Sequence, residues 1–159
     1  MPVKPIPDGY HTATPYLIVN GGMKALEFYA KAFGAEQLGA CPMADGRLGH
    51  AEIQIGDSRI MLADEFPEMG AKSPSTLGGT PVGICLYVND SDALFARAVA
   101  AGATPLYPVK DQFYGDRSGT VLDPFGHKWT ISTHKEDLSM EEIERRMKAM
   151  SCGEGKTSA

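Results

Sequence analysis

The sequence predicts an α+β fold of two βαβββ modules in tandem, followed by a C-terminal helix. Three observations predict it: an internal repeat, a strand and helix alternation shared by both copies, and a capped helical segment beyond the second copy. Leu17-Ile18-Val19-Asn20 leads into a helical stretch with Ala25-Leu26 that closes at Gly34-Ala35. Roughly 68 residues on, Leu86-Tyr87-Val88-Asn89 leads into Ala93-Leu94 and closes at Gly102-Ala103. Gly49 and Gly56 recur as Gly119 and Gly126. Either copy alone can bury only part of its apolar surface, so the two must pack together and form a pseudosymmetric seam. Such a seam is where a ligand site is expected.

The elements follow in order. Residues 1–11 read as an N-terminal extension, and residues 12–135 as one domain: module one 12–64, connector 65–81 and module two 82–135. Alternation and β-branched or aromatic residues predict a strand over His11–Val19. Leu26, Tyr29 and Phe33 recur at helical spacing over Gly22–Phe33, and Gly34 suits the C′ position because it reaches positive φ without a Cβ clash. Strands are predicted over Glu36–Met43, Leu48–Ile55 and Ser58–Ala63, separated by the turn signals Asp45-Gly46 and Gly56-Asp57. The second unit repeats this with strands over Val82–Val88, Thr104–Val109, Arg117–Leu122 and His127–Thr133. Its helix runs over Ser91–Ala101, with Asp90 as N-cap and Asp92 at the positive end of the helix dipole. The Pro- and Gly-rich connector is long for a compact domain, which points to a functional segment; Phe66 and Met69 are candidates to lid a cavity or, equally, to cover a subunit interface. Ser139 and Glu142 have capping-box spacing, predicting a last helix within 136–150, and 151–159 reads as a disordered tail.

Composition narrows the function classes. The 159 residues hold 15 Lys and Arg against 20 Asp and Glu, a net charge of -5. No basic cluster is present, which argues against nucleic acid as a partner. No segment approaches the ~20 apolar residues of a membrane span, and the first residues lack an apolar run of signal-peptide length. A cytoplasmic protein is expected. Cys41, Cys85 and Cys152 are widely spaced without a CxxC pair, as suits reduced thiols.

Leu26-Glu27-Phe28-Tyr29 in the first helix, His50 through Asp57, Phe113-Tyr114-Gly115-Asp116-Arg117, and Asp123 through Trp129 resemble the vicinal oxygen chelate superfamily. Within it the chain is most similar to the glyoxalase/bleomycin resistance protein type, PhnB-like branch. The resemblance covers about residues 12–135. It implies the glyoxalase/bleomycin resistance/dihydroxybiphenyl dioxygenase-like fold, in which each module carries its helix outside and the two inner sheet faces enclose a cavity. It also implies a homodimer. Metal-dependent members place His, Gln or Glu on the first and last strands of each module. Carried over, these positions are Thr14, Leu62, Gly83 and Thr130, none of which supplies imidazole, carboxylate or thiolate. No metal and no other cofactor is expected.

Strand alternation places further residues toward the cavity. With Thr14 and Thr130 go Tyr16, Cys85 and Tyr87. His50 and Glu52 share the polar face of their strand, where a carboxylate can raise an imidazole pKa or exchange a proton with it, so they are the candidate catalytic acid and base. The alternative is a hydrogen-bonded polar lining. Phe113 and Tyr114 can stack on a flat ligand, and Arg117 can clamp a carboxylate or phosphonate or pair with Asp116 to fix its loop. His127 reads as structural, His134 as solvated and Cys85 as inert. Candidate ligand-binding residues are therefore Thr14, Tyr16, Leu62, Cys85, Tyr87, Phe113, Tyr114, Arg117 and Thr130.

These readings converge on a metal-independent small-molecule binding protein whose ligand lies between the modules. The alternative is a lyase, isomerase or dioxygenase of the same superfamily, metal-free through His50 and Glu52 or with a non-standard metal site. A third reading is a filled cavity in a protein whose role is assembly.

Overall fold

The computed structural model describes residues 3–153, with side chains to residue 150. Module one comprises β1 (Tyr16–Val19), α1 (Gly22–Phe33), β2 (Glu36–Pro42), β3 (Leu48–Ile55) and β4 (Ser58–Asp64). After a connector containing one turn of helix, α2 (Pro74–Leu77), module two comprises β5 (Gly83–Tyr87), α3 (Ser91–Ala101), β6 (Thr104–Asp111), β7 (Asp116–Leu122) and β8 (Lys128–His134). Helix α4 (Met140–Gly153) ends the described chain. The two sheets have the same topology, β1-β4-β3-β2 and β5-β8-β7-β6, each with one parallel pair, β1 with β4 and β5 with β8. The tandem βαβββ expectation holds.

Local chemistry accounts for the element ends. The α1 face of Ala25, Leu26, Tyr29, Ala32 and Phe33 is buried, and Gly34, at φ 69°, returns its N–H to Ala30 O at 3.1 Å. Asp90 Oδ1 accepts from Ala93 N at 2.9 Å at the start of α3, and Ser139 Oγ accepts from Glu142 N at 3.2 Å at the start of α4. Strand β1 is shorter than its pattern suggests. Pro15 offers no N–H to a ladder, although its carbonyl still accepts from Met61 N at 3.0 Å. Helix α4 runs past Met150 into the stretch expected to be a tail. The rest of that stretch, 154–159, lies outside the described residues.

Each sheet packs one face on the helices. Leu48, Ala51, Ile53 and Ile55 of β3 are buried, as are Ile60 and Leu62 of β4, whereas His50, Glu52, Gln54, Arg59 and Met61 alternate onto the opposite, concave face. In module two, Val121, Trp129 and Ile131 face the core, while Ser118, Thr120, Thr130 and Ser132 take the concave side.

The modules are joined through their helices and one buried carboxylate. Helices α1 and α3 are in contact, and Arg97 of α3 donates to the Lys31 and Ala30 carbonyls at the end of α1 (2.6 and 3.1 Å). Trp129 stacks near Phe33 and Tyr29, with ring centroids 4.6 and 5.4 Å apart. Asp123 collects four donors: Tyr29 Oη and Trp129 Nε1 at 2.8 Å, and the Phe125 and His127 amides at 2.9 Å. Burial first, and then the Asp123 carboxylate, push the Tyr29 phenol well above its ordinary pKa. The Asp123-Pro124-Phe125-Gly126-His127 phrase is thus the joint between the modules.

Because the aromatic cluster packs α1 against Phe125 and Trp129 on the helix side of the sheets, the concave sheet faces point away from it. They stay open within one chain: Tyr87 and Tyr107 are 66% and 68% exposed. The expectation of inner faces enclosing a cavity is therefore not met by a single chain.

Candidate functional site

The edge strands β1 and β5 border a cleft of about 710 Å³ at the seam. One wall is Ala13 through Ile18, the facing wall is Val82 through Cys85 with His127, and the connector closes one side with Lys72, Pro74, Leu77, Gly79, Thr80 and Pro81. The lining is chiefly aliphatic and proline. This connector wall is built firmly. The Glu65 carboxylate accepts from Ser73 N at 2.9 Å and from Thr76 Oγ1 at 2.7 and 3.0 Å, bonds that hold it below the usual carboxylate range. Pro74 packs directly on Gly126, where φ is +89° and any Cβ would sit 2.8 Å from Pro74 Cβ. His127 ties the opposite walls together through Nε2 and the Ile18 carbonyl, 2.8 Å apart.

Of the residues expected to bind ligand, Thr14, Tyr16 and Cys85 meet in this cleft. Tyr16 also connects it to the candidate acid and base. Its hydroxyl lies 3.0 Å from His50 Nδ1, and His50 Nε2 lies 3.5 Å from Glu52 Oε1, giving a Tyr16, His50, Glu52 chain along the concave face of module one. The Tyr10 hydroxyl is buried without a well-formed hydrogen bond and lies against Glu52. Its proximity, with a smaller contribution from His50, lowers the Glu52 pKa against the opposing effect of burial. The Arg59 guanidinium stacks over the Tyr10 ring at 4.7 Å, which holds the N-terminal segment beside this chain.

Tyr87, Phe113, Tyr114 and Thr130 lie apart from that cleft, in module two. Tyr87 Oη donates to Asp116 Oδ2 at 2.8 Å, a bond that pushes the phenol up to about 12. Tyr114 Oη lies 3.2 Å from Ser118 Oγ, Phe113 packs edge-on against Tyr114, and Thr130 Oγ1 lies 3.0 Å from Thr120 Oγ1. Tyr114 and Thr130 line a smaller surface hollow with Tyr107 and Lys110.

Two expected positions are corrected. Leu62 is fully buried on the core side of β4; its neighbour Met61, paired with Tyr16, has the concave position. Arg117 lies on the helix side of β7, since Asp116 and Ser118 occupy the other face. It forms a double bond pair with Asp92 of α3 (2.6 and 2.7 Å) and reaches Asp111 at 3.1 Å. It fastens α3 to the sheet and does not converge with His50 and Glu52. The connector also differs from expectation: Phe66 lies beneath Arg47, 4.2 Å from ring centroid to guanidinium, and Met69 is 80% exposed, so neither lids the cleft. His134 is half exposed yet bridges Asp116 and Asp137 at 2.8 and 2.9 Å, which raises its pKa, Asp137 contributing most.

The pattern of the Glyoxalase/Bleomycin resistance protein/Dioxygenase superfamily matches residues 10–131. The chain belongs to this superfamily. A relative in Mycobacterium tuberculosis (strain H37Rv), an uncharacterised protein, is 46% identical over 143 residues, spanning 88% of this chain and 84% of its own. Among solved structures, TioX from a Micromonospora species is 25% identical, with a TM-score of 0.61 over 81% of this chain and 100% of its own. An Arabidopsis thaliana gene product is 27% identical, with a TM-score of 0.62 over 77% of this chain and 98% of its own.

For metal-dependent members of the superfamily, the question is whether this donor set fits a divalent ion. On the concave side of β1, β4, β5 and β8 stand Tyr16, Met61, Cys85 and Thr130. Phenol, thioether and hydroxyl are poor donors beside a single thiol, and among the described residues no three His, Cys, Asp or Glu side chains are arranged so that they could hold a metal ion. These residues do not fit such an ion. The connector residues of the cleft escaped the sequence reading, although the segment's length and prolines marked it as functional.

Proposed function

We propose that this protein is a metal-independent small-molecule binding protein of the PhnB-like branch, holding its ligand in the β1/β5 cleft between the modules. The observation that carries this reading is Tyr16, which lines an aliphatic cleft of ligand size and bonds to a polar chain just outside it. The apolar walls supply affinity by burial, and the few polar groups orient the ligand. Because Leu77 is 65% exposed, Leu77→Glu can place a charge in the wall without disturbing the core. It is expected to weaken binding of the neutral dye N-phenyl-1-naphthylamine at least ~10-fold, with little change in Tm. Unchanged affinity in a fluorescence titration would remove the cleft from consideration.

The placement of His50 between Tyr16 and Glu52 favours a second reading, acid and base chemistry without metal. In it, Glu52 orients the imidazole and Tyr16 passes a proton to the cleft.

The open concave faces support a homodimer, since Tyr16, Tyr87 and Tyr107 stand exposed on them. Light scattering at micromolar concentration should give twice 17.0 kDa. Tyr107→Glu should shift the protein toward monomer, and a monomeric parent protein would contradict the reading. With no helix among the described residues long and apolar enough to cross a membrane, a cytoplasmic location is part of the same proposal.

A further inference from the structure

The seam carries a second cleft of about 730 Å³, and the two differ in charge. The second is lined by Phe33, Leu86 and Leu94, but also by Asp57, Asp90 and Arg97. Its cation is already committed to the carbonyls at the end of α1, while Asp57 bonds only its neighbour Ser58. Its mouth is therefore electronegative. Among the described residues lining the β1/β5 cleft, the one side chain of permanent charge is Lys72. The Glu65 carboxylate, bonded to Ser73 and Thr76, lies within Coulombic range of Lys72, but no hydrogen bond or ion pair engages the Lys72 ammonium among the described residues. A solvent-exposed ammonium in no direct ion pair thus stands at the edge of an aliphatic wall, in a protein whose net charge is -5.

Resting on the binding reading above, we infer that the ligand of the β1/β5 cleft is an amphipathic anion, an apolar or aromatic body bearing one carboxylate or similar group, with Lys72 as its counter-charge. The body lies against Pro15, Pro74, Pro81 and Leu77, a stiff surface that loses little freedom on contact. The anionic end is drawn to the connector, since the remaining field of the protein repels it. Charge thereby selects between two clefts of nearly equal volume. Lys72, rather than the Arg117 expected from sequence, supplies the cation.

Calorimetric titration of the full chain with three probes of one shape tests this: 2-naphthoate, neutral 2-naphthylmethanol and cationic 2-naphthylmethylamine. At low salt, naphthoate should bind about 5-fold more tightly than the alcohol, and the preference should shrink in 0.5 M salt, given as roughly 4 Å of Debye length. Lys72→Ala should abolish the preference, so that naphthoate binds no better than the alcohol, and Lys72→Glu should reverse it in favour of the amine. If the alcohol binds in a Leu77→Glu-sensitive way while naphthoate binds no better, the anion inference fails and the cleft stands. A preference that persists in Lys72→Ala overturns the assignment to Lys72. Binding of neither probe in a Leu77→Glu-sensitive way overturns both the inference and the reading beneath it.

Discussion

Asp123→Ala is expected to lower folding stability by about 3–5 kcal/mol, the range for removing one partner from a buried charged network. The carboxylate is 3% exposed and receives four hydrogen bonds, two from side chains with no other hydrogen-bond partner among the described residues, Tyr29 Oη and Trp129 Nε1. Alanine would strand both beside a void, and the β7–β8 turn would lose the acceptor for its Phe125 and His127 amides. For a chain of this size the loss corresponds to a Tm lower by about 10 °C. Since Tyr29 belongs to module one and Asp123 to module two, the damage is to the joint. Tyr29→Phe alone should cost ~1.5–3 kcal/mol and far less when added to Asp123→Ala, a non-additivity measurable by urea denaturation. A loss below ~1 kcal/mol for Asp123→Ala would show that the hub is not what holds the modules.

The second large effect is expected at Asp64, the carboxylate that closes module one. At the end of β4 it accepts from the Gly21 and Gly22 amides (2.7 and 2.9 Å) and from Leu48 N (2.7 Å). It therefore satisfies donors at the start of α1 and ties that helix to β3. Asp64→Ala leaves these amides facing a buried gap that no side chain of α1 can fill. Gly22 is packed so closely that a Cβ there would come within 2.5 Å of Leu48 Cβ and 2.9 Å of Asp64 Oδ2. A loss of about 3 kcal/mol is expected, with hydrogen exchange of the Gly22 and Leu48 amides accelerated together. Asp64→Asn should lose less, because one carbonyl oxygen remains. Unchanged protection of Leu48 in the alanine variant would contradict this role.

Both carboxylates stood in plain view in the sequence without disclosing their partners. Asp123 belongs to a recognisable turn phrase, yet its function depends on Tyr29, distant in sequence; the available signal was that buried Tyr and Trp side chains need acceptors for their polar ends. The polar face of His50 and Glu52 was readable because strand periodicity is strict, and the structure adds Tyr16 as the link to the cleft. Leu62, a position carried over from the resemblance, is off by one residue, which in a strand means the opposite face. For Arg117 the sequence offers a ligand clamp or a structural pair with Asp116; the partner it takes, Asp92, lies one helix away, out of reach of any local pattern.

What this sequence determined by itself is the repeated βαβββ order, the helices α1 and α3, and the caps at Gly34, Asp90 and Ser139. These depend on periodicity and on backbone groups within a few residues, so short-range chemistry suffices. Only the tertiary structure decided that the helices join the modules while the concave faces stay open, that the connector walls the cleft, and that Lys72 lines it while Arg117 is occupied. Those outcomes depend on which surfaces meet across the seam, and a carboxylate or guanidinium takes its role from the partner that packing brings to it.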